Sequence, residues 1–186
     1  RLNKLTVKYS VFSHLNGIGL SGVAFKDLNH KKKLITQLCS KGESTIPELA
    51  DLLNISLPKI KKLLTGLVKE VLVKDSGRKT NGIGRKAAIY SLNPASCYFL
   101  GIEIKKYKIH IGLMSFNAEM VSSALDIPFT FLDSDESLNA ICKEIKKFLT
   151  RVPISKDKIL GLGLSLAGRI NVKTSEILSI YHFGNA

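Results

Sequence analysis

Tryptophan is absent from this 186-residue sequence, and methionine, proline and cysteine are scarce, at two, five and three residues. Cys39, Cys97 and Cys142 are odd in number and widely spaced, which excludes a disulfide framework and a zinc knuckle and fits a reducing, cytoplasmic setting. No apolar run approaches the ~20 residues needed to cross a bilayer, so no membrane is expected as a partner. The charged, apolar, small-residue pattern of a secretion signal is missing as well. Arg1 stands where a Met would begin a complete protein, which suggests a fragment. Repeats and low-complexity tracts are absent. At about 150 residues per domain the length allows one or two domains.

Acid is the scarcest charge: 15 Asp and Glu stand against 28 Lys and Arg, for a net charge of +13. The excess is uneven. Residues 1–93 hold 17 cationic and 6 acidic residues, whereas residues 94–186 hold 11 and 9. A strongly basic half joined to a nearly neutral one is what a polyanion-binding module fused to another domain would show. A solvated basic face would show the same charge, so the motifs must decide.

Residues 1–26 read as an unassigned, glycine-containing arm. Gly17-Ile18-Gly19-Leu20-Ser21-Gly22 matches a dinucleotide fingerprint in spelling, but no βαβ unit follows it. From Asn29, Leu34, Ile35 and Leu38 recur at helical spacing, and Lys41-Gly42 is a stop signal. Ser44 or Thr45 can cap a second helix, Ile46 to Leu53, with Glu48 placed to close a capping box from Thr45. Asn54 stands where a turn needs a left-handed backbone, and small Ala50 where two helices cross. Ser56 then caps a third helix, with Pro58 tolerated in its first turn. Ile60, Leu63, Leu64, Leu67 and Val68 form its apolar stripe, and Ile55 and Ile60 are expected in the core. Val71–Val73 and Ala87–Leu92 read as strands bracketing a glycine- and arginine-rich loop, and Asn93-Pro94 as a domain boundary.

This order is that of a winged helix-turn-helix, expected over residues 27–93 and bound to double-stranded DNA. On the third helix the candidate contacts are Ser56, Lys59, Lys61, Lys62, Thr65 and Lys69, since cations meet phosphates and short polar groups meet base edges. The loop from Lys74 to Lys86 has five cations in thirteen residues and three glycines. It adds Arg78, Lys79, Asn81, Arg85 and Lys86, with Arg78 or Arg85 suited to a minor groove. In the second half Tyr98–Ile104, Lys108–Met114 and Met120–Leu125 read as strands and Asp135–Thr150 as an amphipathic helix with Leu138, Ile141, Ile145 and Phe148 inward. Ile159–Leu166 reads as a buried strand. His14, His30, His110 and His182 have no partners at metal-ligand spacing.

The helix-turn-helix, a loop ending in Gly82-Ile83-Gly84-Arg85-Lys86, the Ser91-Leu92-Asn93 strand end and the strand Leu100-Gly101-Ile102-Glu103-Ile104 together resemble the ROK family (repressors, open reading frames and sugar kinases). The resemblance runs from about Lys31 to Phe183 and is narrowest to the NagC/Mlc/XylR-type transcriptional repressors. It implies an α+β chain: the winged domain, then over residues 94–186 the first half of a ribonuclease-H-like, actin-type ATPase α/β domain that senses a sugar or sugar phosphate. It also implies a homo-oligomer, dimer or tetramer, and a repressor of carbohydrate-utilisation genes. The alternative is a ROK-type sugar kinase with an added N-terminal domain.

Family kinases carry a Gly-x-Asp-x-Gly-Gly-Thr phosphate loop. Here Gly101-Ile102-Glu103-Ile104-Lys105-Lys106-Tyr107 stands at the matching place, with bulky residues where backbone N–H groups should reach phosphate. The segment Ser165-Leu166-Ala167-Gly168-Arg169-Ile170-Asn171 resembles one beside the family's sugar pocket, making Ala167, Gly168 and Arg169 candidate ligand contacts. The family's catalytic Asp and zinc-binding cysteines lie beyond Ala186, so no catalysis, cofactor or metal is expected of this chain, zinc belonging to a missing C-terminal part.

Overall fold

The computed structural model describes Tyr9, Val11 and residues 22–79, 86–130, 134–166, 168–171, 173–174 and 176–180. It divides into two compact units, Arg1–Asn93 and Pro94–Ala186, each mixing helix and sheet, so the class is α+β.

In the first unit α1 spans Gly22–Lys41, α2 Ile46–Leu53 and α3 Leu57–Lys69. Helix α1 begins seven residues before Asn29, inside the stretch expected to be an arm, of which residues 12–21 lie outside the described residues. Tyr9 and Val11 are buried. A short strand β1 (Ser44–Thr45), with β2 (Val73–Lys79) and β3 (Ala87–Leu92), makes an antiparallel sheet in the order β1-β3-β2. Apolar residues at helical spacing close the core: Leu28, Leu34 and Leu38 of α1, Leu49 of α2, and Ile60, Leu63, Leu64 and Leu67 of α3 are all buried. Two expected core positions differ. Ile55 is half-buried in the turn between α2 and α3, and Val68 is exposed at the margin of the α3 stripe.

All three helices end in a left-handed residue. Gly42 (φ 81°) closes α1 with its N–H on the Leu38 carbonyl at 3.0 Å, and Asn54 (φ 52°) closes α2. Helix α3 ends at Val71 (φ 62°), whose N–H meets the Val68 carbonyl at 2.9 Å while Leu72 N–H meets Leu67 at 3.0 Å. Val71 is therefore not the start of a strand, as the apolar run Val71–Val73 suggested, but the turn that frees the last carbonyls of α3 from being unpaired. Strand β2 starts at Val73 and continues to Lys79.

The second unit has β4 (Tyr98–Lys105), β5 (Lys108–Ser115), β6 (Met120–Pro128), α4 (Asp135–Arg151), β7 (Ile159–Leu166), and a small hairpin of β8 (Gly168–Asn171) and β9 (Glu176–Ile180). The main sheet has the order β6-β5-β4-β7, antiparallel except for the parallel β4–β7 pair that the α4 crossover permits. Period-two alternation buries Leu100, Ile102, Ile104, Ile109, Ile111 and Leu113 in one cluster with Ile141 and Phe148 of α4. Ser134 caps α4 by accepting from Ser137 N–H. Leu138, expected inward, is 60% exposed. So are Leu162 and Leu164, at 57% and 58%; among the described residues β7 pairs with β4 and lies at the edge of the sheet.

Candidate nucleic-acid interface

Helix α3 forms because Pro58 sits in its first turn, where a missing N–H leaves no bond unmade, and because its apolar residues recur three and four apart. That spacing buries one side and turns the other outward. Lys61, Lys62, Thr65 and Lys69 are all exposed, with Lys61, Thr65 and Lys69 spaced by four residues along one line of about 12 Å. None of the three lysines pairs with a described carboxylate. The Thr65 hydroxyl donates to the Lys61 carbonyl at 2.9 Å, which leaves its oxygen lone pairs outward as acceptors. Ser56 occupies the N-cap position but makes no side-chain capping bond, unlike Thr45, whose hydroxyl accepts from Glu48 N–H while the Glu48 carboxylate accepts from Thr45 N–H at 2.7 Å. The Ser56 hydroxyl is exposed beside the positive end of α3.

Lys59 stands outside that exposed row. It is half-buried and its ammonium is hydrogen-bonded to the Asp27 carboxylate of α1. That bond, with the charges of Lys59, Lys62 and His30, holds the Asp27 carboxyl below its ordinary range despite some desolvation. A second pair, Lys31 to Glu70 at 2.8 Å, ties α1 to the C-cap of α3. The Lys31 stem crosses Gly66, where a β-carbon would stand 3.7 Å from its Cε and Nζ. Sequence reasoning missed Asp27 and Lys31, because their partners lie 32 and 39 positions away.

In the β2–β3 hairpin Arg78 is folded back on Asp75, its Nη1 at 2.9 and 2.8 Å from the two carboxylate oxygens. This bond, with a backbone one from Gly77, lowers the Asp75 carboxyl and raises the Arg78 guanidinium. Gly77 (φ 116°) sits at a bulge after Asp75 that only glycine enters easily. Ser76 and Ser91 hydroxyls meet at 2.6 Å across the pair. Lys86 is exposed at the hairpin's return, and Lys79 closes β2, described in its backbone. Asn81 and Arg85 lie outside the described residues.

No family model matches the chain. It is 23% identical over 131 residues to the xylose repressor of Caldicellulosiruptor bescii, an alignment covering 70% of this chain and 33% of that protein. The chain thus spans about a third of the length of the curated relative it matches. In fold it is similar to a solved ROK family transcriptional regulator, a homologue of the Escherichia coli MLC protein, with a TM-score of 0.60 and 20% identity. That match covers 87% of this chain and 40% of the other. Both of these similar proteins are transcriptional regulators.

Residues 101–107, read from the sequence against a kinase phosphate loop, run along β4 into a tight hairpin turn. Lys105 pairs with Lys108 across β4 and β5, so Lys106 and Tyr107 alone make the turn. The Lys106 ammonium lies 4.9 Å from the Tyr107 ring centroid, and Lys105 pairs with Glu103 at 3.3 Å. Both lysines are spent on their own neighbours and no glycine exposes backbone N–H groups. Of the candidate sugar contacts, Ala167 lies outside the described residues, while Gly168 and Arg169 pair through their backbone with Ile180 and Ser179. They belong to the second unit. Among the described residues no three His, Cys, Asp or Glu gather at metal-binding distance, and no helix is long and apolar enough to cross a membrane. His14 and His182 lie outside the described residues, and His110 Nδ1 accepts from Asp126 N–H at 3.1 Å.

Proposed function

We propose that this chain is the DNA-binding portion of a sugar-responsive transcriptional repressor, with α2 and α3 as a helix-turn-helix and the β2–β3 hairpin as its wing. The observation that carries this reading is the exposed row Lys61, Lys62, Thr65 and Lys69 on a helix whose opposite face is fixed in a core. The lysines neutralise phosphates and release counterions, which gives affinity, and Thr65 reads a base edge, which gives discrimination. Ser56 adds a phosphate contact at the helix start, and Arg78, Lys79, Asn81, Arg85 and Lys86 follow the adjacent groove. The exposed Arg78–Asp75 pair is of the weak kind that yields to a phosphate.

The second unit belongs to a ribonuclease-H-like domain that binds a sugar or sugar phosphate, with Ala167, Gly168 and Arg169 near the pocket. Control is by linkage: an effector that prefers the conformation with displaced recognition helices weakens operator binding by its differential affinity. The similarity to a xylose repressor points to a carbohydrate effector, and the test uses a panel of sugars. The names of both relatives support a regulator, and the tight Lys106–Tyr107 turn speaks against the kinase alternative. The protein acts in the cytoplasm, as a homo-oligomer on a two-fold operator.

The experiment is selection of bound duplexes from a random-sequence pool, followed by release with a panel of pentoses, hexoses and their phosphates. The expected result is one enriched motif and one releasing sugar for the intact protein. Absence of salt-sensitive duplex binding would remove the reading.

A further inference from the structure

Asp27 is the one acidic residue among the first 42, in a stretch holding eight cations, and it is aimed at α3. Its partner Lys59 stands in the first turn of α3, next to the positive helix end and to Lys61 and Lys62. An unpaired ammonium there would be among the strongest attractors for a phosphate on this unit. The pair is not needed to hold the helices together. Leu28, Leu34 and Leu38 of α1 and Ile60, Leu63, Leu64 and Leu67 of α3 already do so through buried surface, and the Lys31–Glu70 pair supplies a second polar tie. Both members of the Asp27–Lys59 pair keep nearly a third of their side-chain surface in water, a setting in which ion pairs contribute little to stability.

We propose that Asp27 is an intramolecular competitor for DNA phosphate: it withholds Lys59 from the backbone and so limits affinity for duplexes of any sequence. This rests on the DNA-binding reading above. A phosphate reaching Lys59 must first break its bond to Asp27, and it then leaves an uncompensated carboxylate beside the polyanion. Both effects oppose the contact. The result is a complex short of one phosphate contact, which an effector-linked change releases more easily than a tighter one.

The test is a salt titration of binding to a duplex of unrelated sequence, by fluorescence anisotropy, with the whole chain. Asp27→Asn is expected to bind several-fold more tightly at low salt and to steepen the slope of log affinity against log salt by about one unit, the signature of one added phosphate contact. Lys59→Gln alone should leave the slope as it is, and adding Lys59→Gln to Asp27→Asn should restore it. A folded Asp27→Asn protein with unchanged or weaker binding would make Asp27 a fastener and overturn the inference. A slope reduced by one unit in Lys59→Gln alone would overturn it too, whether or not Asp27→Asn folds. If the unmodified chain shows no salt-dependent binding, the DNA-binding reading falls and takes this inference with it; the other outcomes leave that reading standing.

Discussion

Ile55 donates its backbone N–H to the carbonyl of Ala50 at 3.0 Å, a bond reaching back across five residues that exists only because Asn54 between them is left-handed. The same turn sets the angle at which α3 leaves α2. Asn tolerates this conformation and β-branched residues do not. Asn54→Val should lower stability by about 1–2 kcal/mol, while Asn54→Gly should be nearly neutral. Val71, already β-branched at φ 62° and 57% exposed, gives the opposite sign: Val71→Gly should gain stability, by up to about 1 kcal/mol. Urea midpoints followed by helical circular dichroism decide both, and a loss on Val71→Gly would show that its side chain packs more than its backbone strains.

Ile60 has no solvent-exposed surface and lies between packed helices. An Ile60→Asp carboxylate would be buried without a partner, at a cost on the order of 4 kcal/mol or more, enough to unfold a marginal unit. Its helical dichroism and duplex binding should both be lost, with neither lost in Lys61→Ala. Folded, binding-competent Ile60→Asp protein would mean that the helix faces the other way.

Lys61→Ala and Lys62→Ala should each weaken binding to all duplexes and flatten the salt slope by about one unit. Thr65→Ala should leave the slope alone and relax preference at one base pair, by roughly 1–3 kcal/mol. Its hydroxyl hydrogen is engaged by Lys61, so the favoured base presents a donor, the amino group of adenine or cytosine. Binding unchanged in all three at two salt concentrations would remove α3 from the interface.

Cys97 is fully buried, and burial pushes its thiol up to about 11, against a weak bond from Ser96. Both the enclosure and the rarity of thiolate protect it near neutral pH. Cys39 and Cys142 are exposed. A disulfide reagent at mildly alkaline pH should therefore titrate two of the three thiols in the folded chain and the third only in denaturant. Rapid modification of three would contradict the packing around Cys97.

Phosphoryl transfer depends on holding the phosphates in line with backbone donors and cations. The Lys106–Tyr107 turn presents a stacked cation and ring in that place. Calorimetry with millimolar magnesium-ATP should detect no binding, and no sugar should be phosphorylated by the intact protein. Sugar-dependent ATP consumption would favour the kinase alternative.

Local signals determined much of this protein from the sequence by itself. Helical spacing, the Thr45–Glu48 capping box, Gly42 and Asn54 place α2, α3 and the turn between them, because each acts over four or five residues. Alternation placed β4 and β5 in the same way. The basic row of α3 was also legible, since the buried stripe dictates what faces outward. Tertiary structure decided the rest. Lys59 reads as a free cation until α1 brings Asp27 to it, and Arg78 until the Gly77 bulge folds it onto Asp75. Val71 reads as strand until the packing of Leu67 and Leu72 forces the chain to turn there. Leu162 and Leu164 read as core, but among the described residues the strand order puts β7 at an edge. The physical reason is common to all four: propensity and periodicity are properties of neighbours in the chain, whereas a charge's partner and a side chain's burial depend on which distant segment arrives beside it.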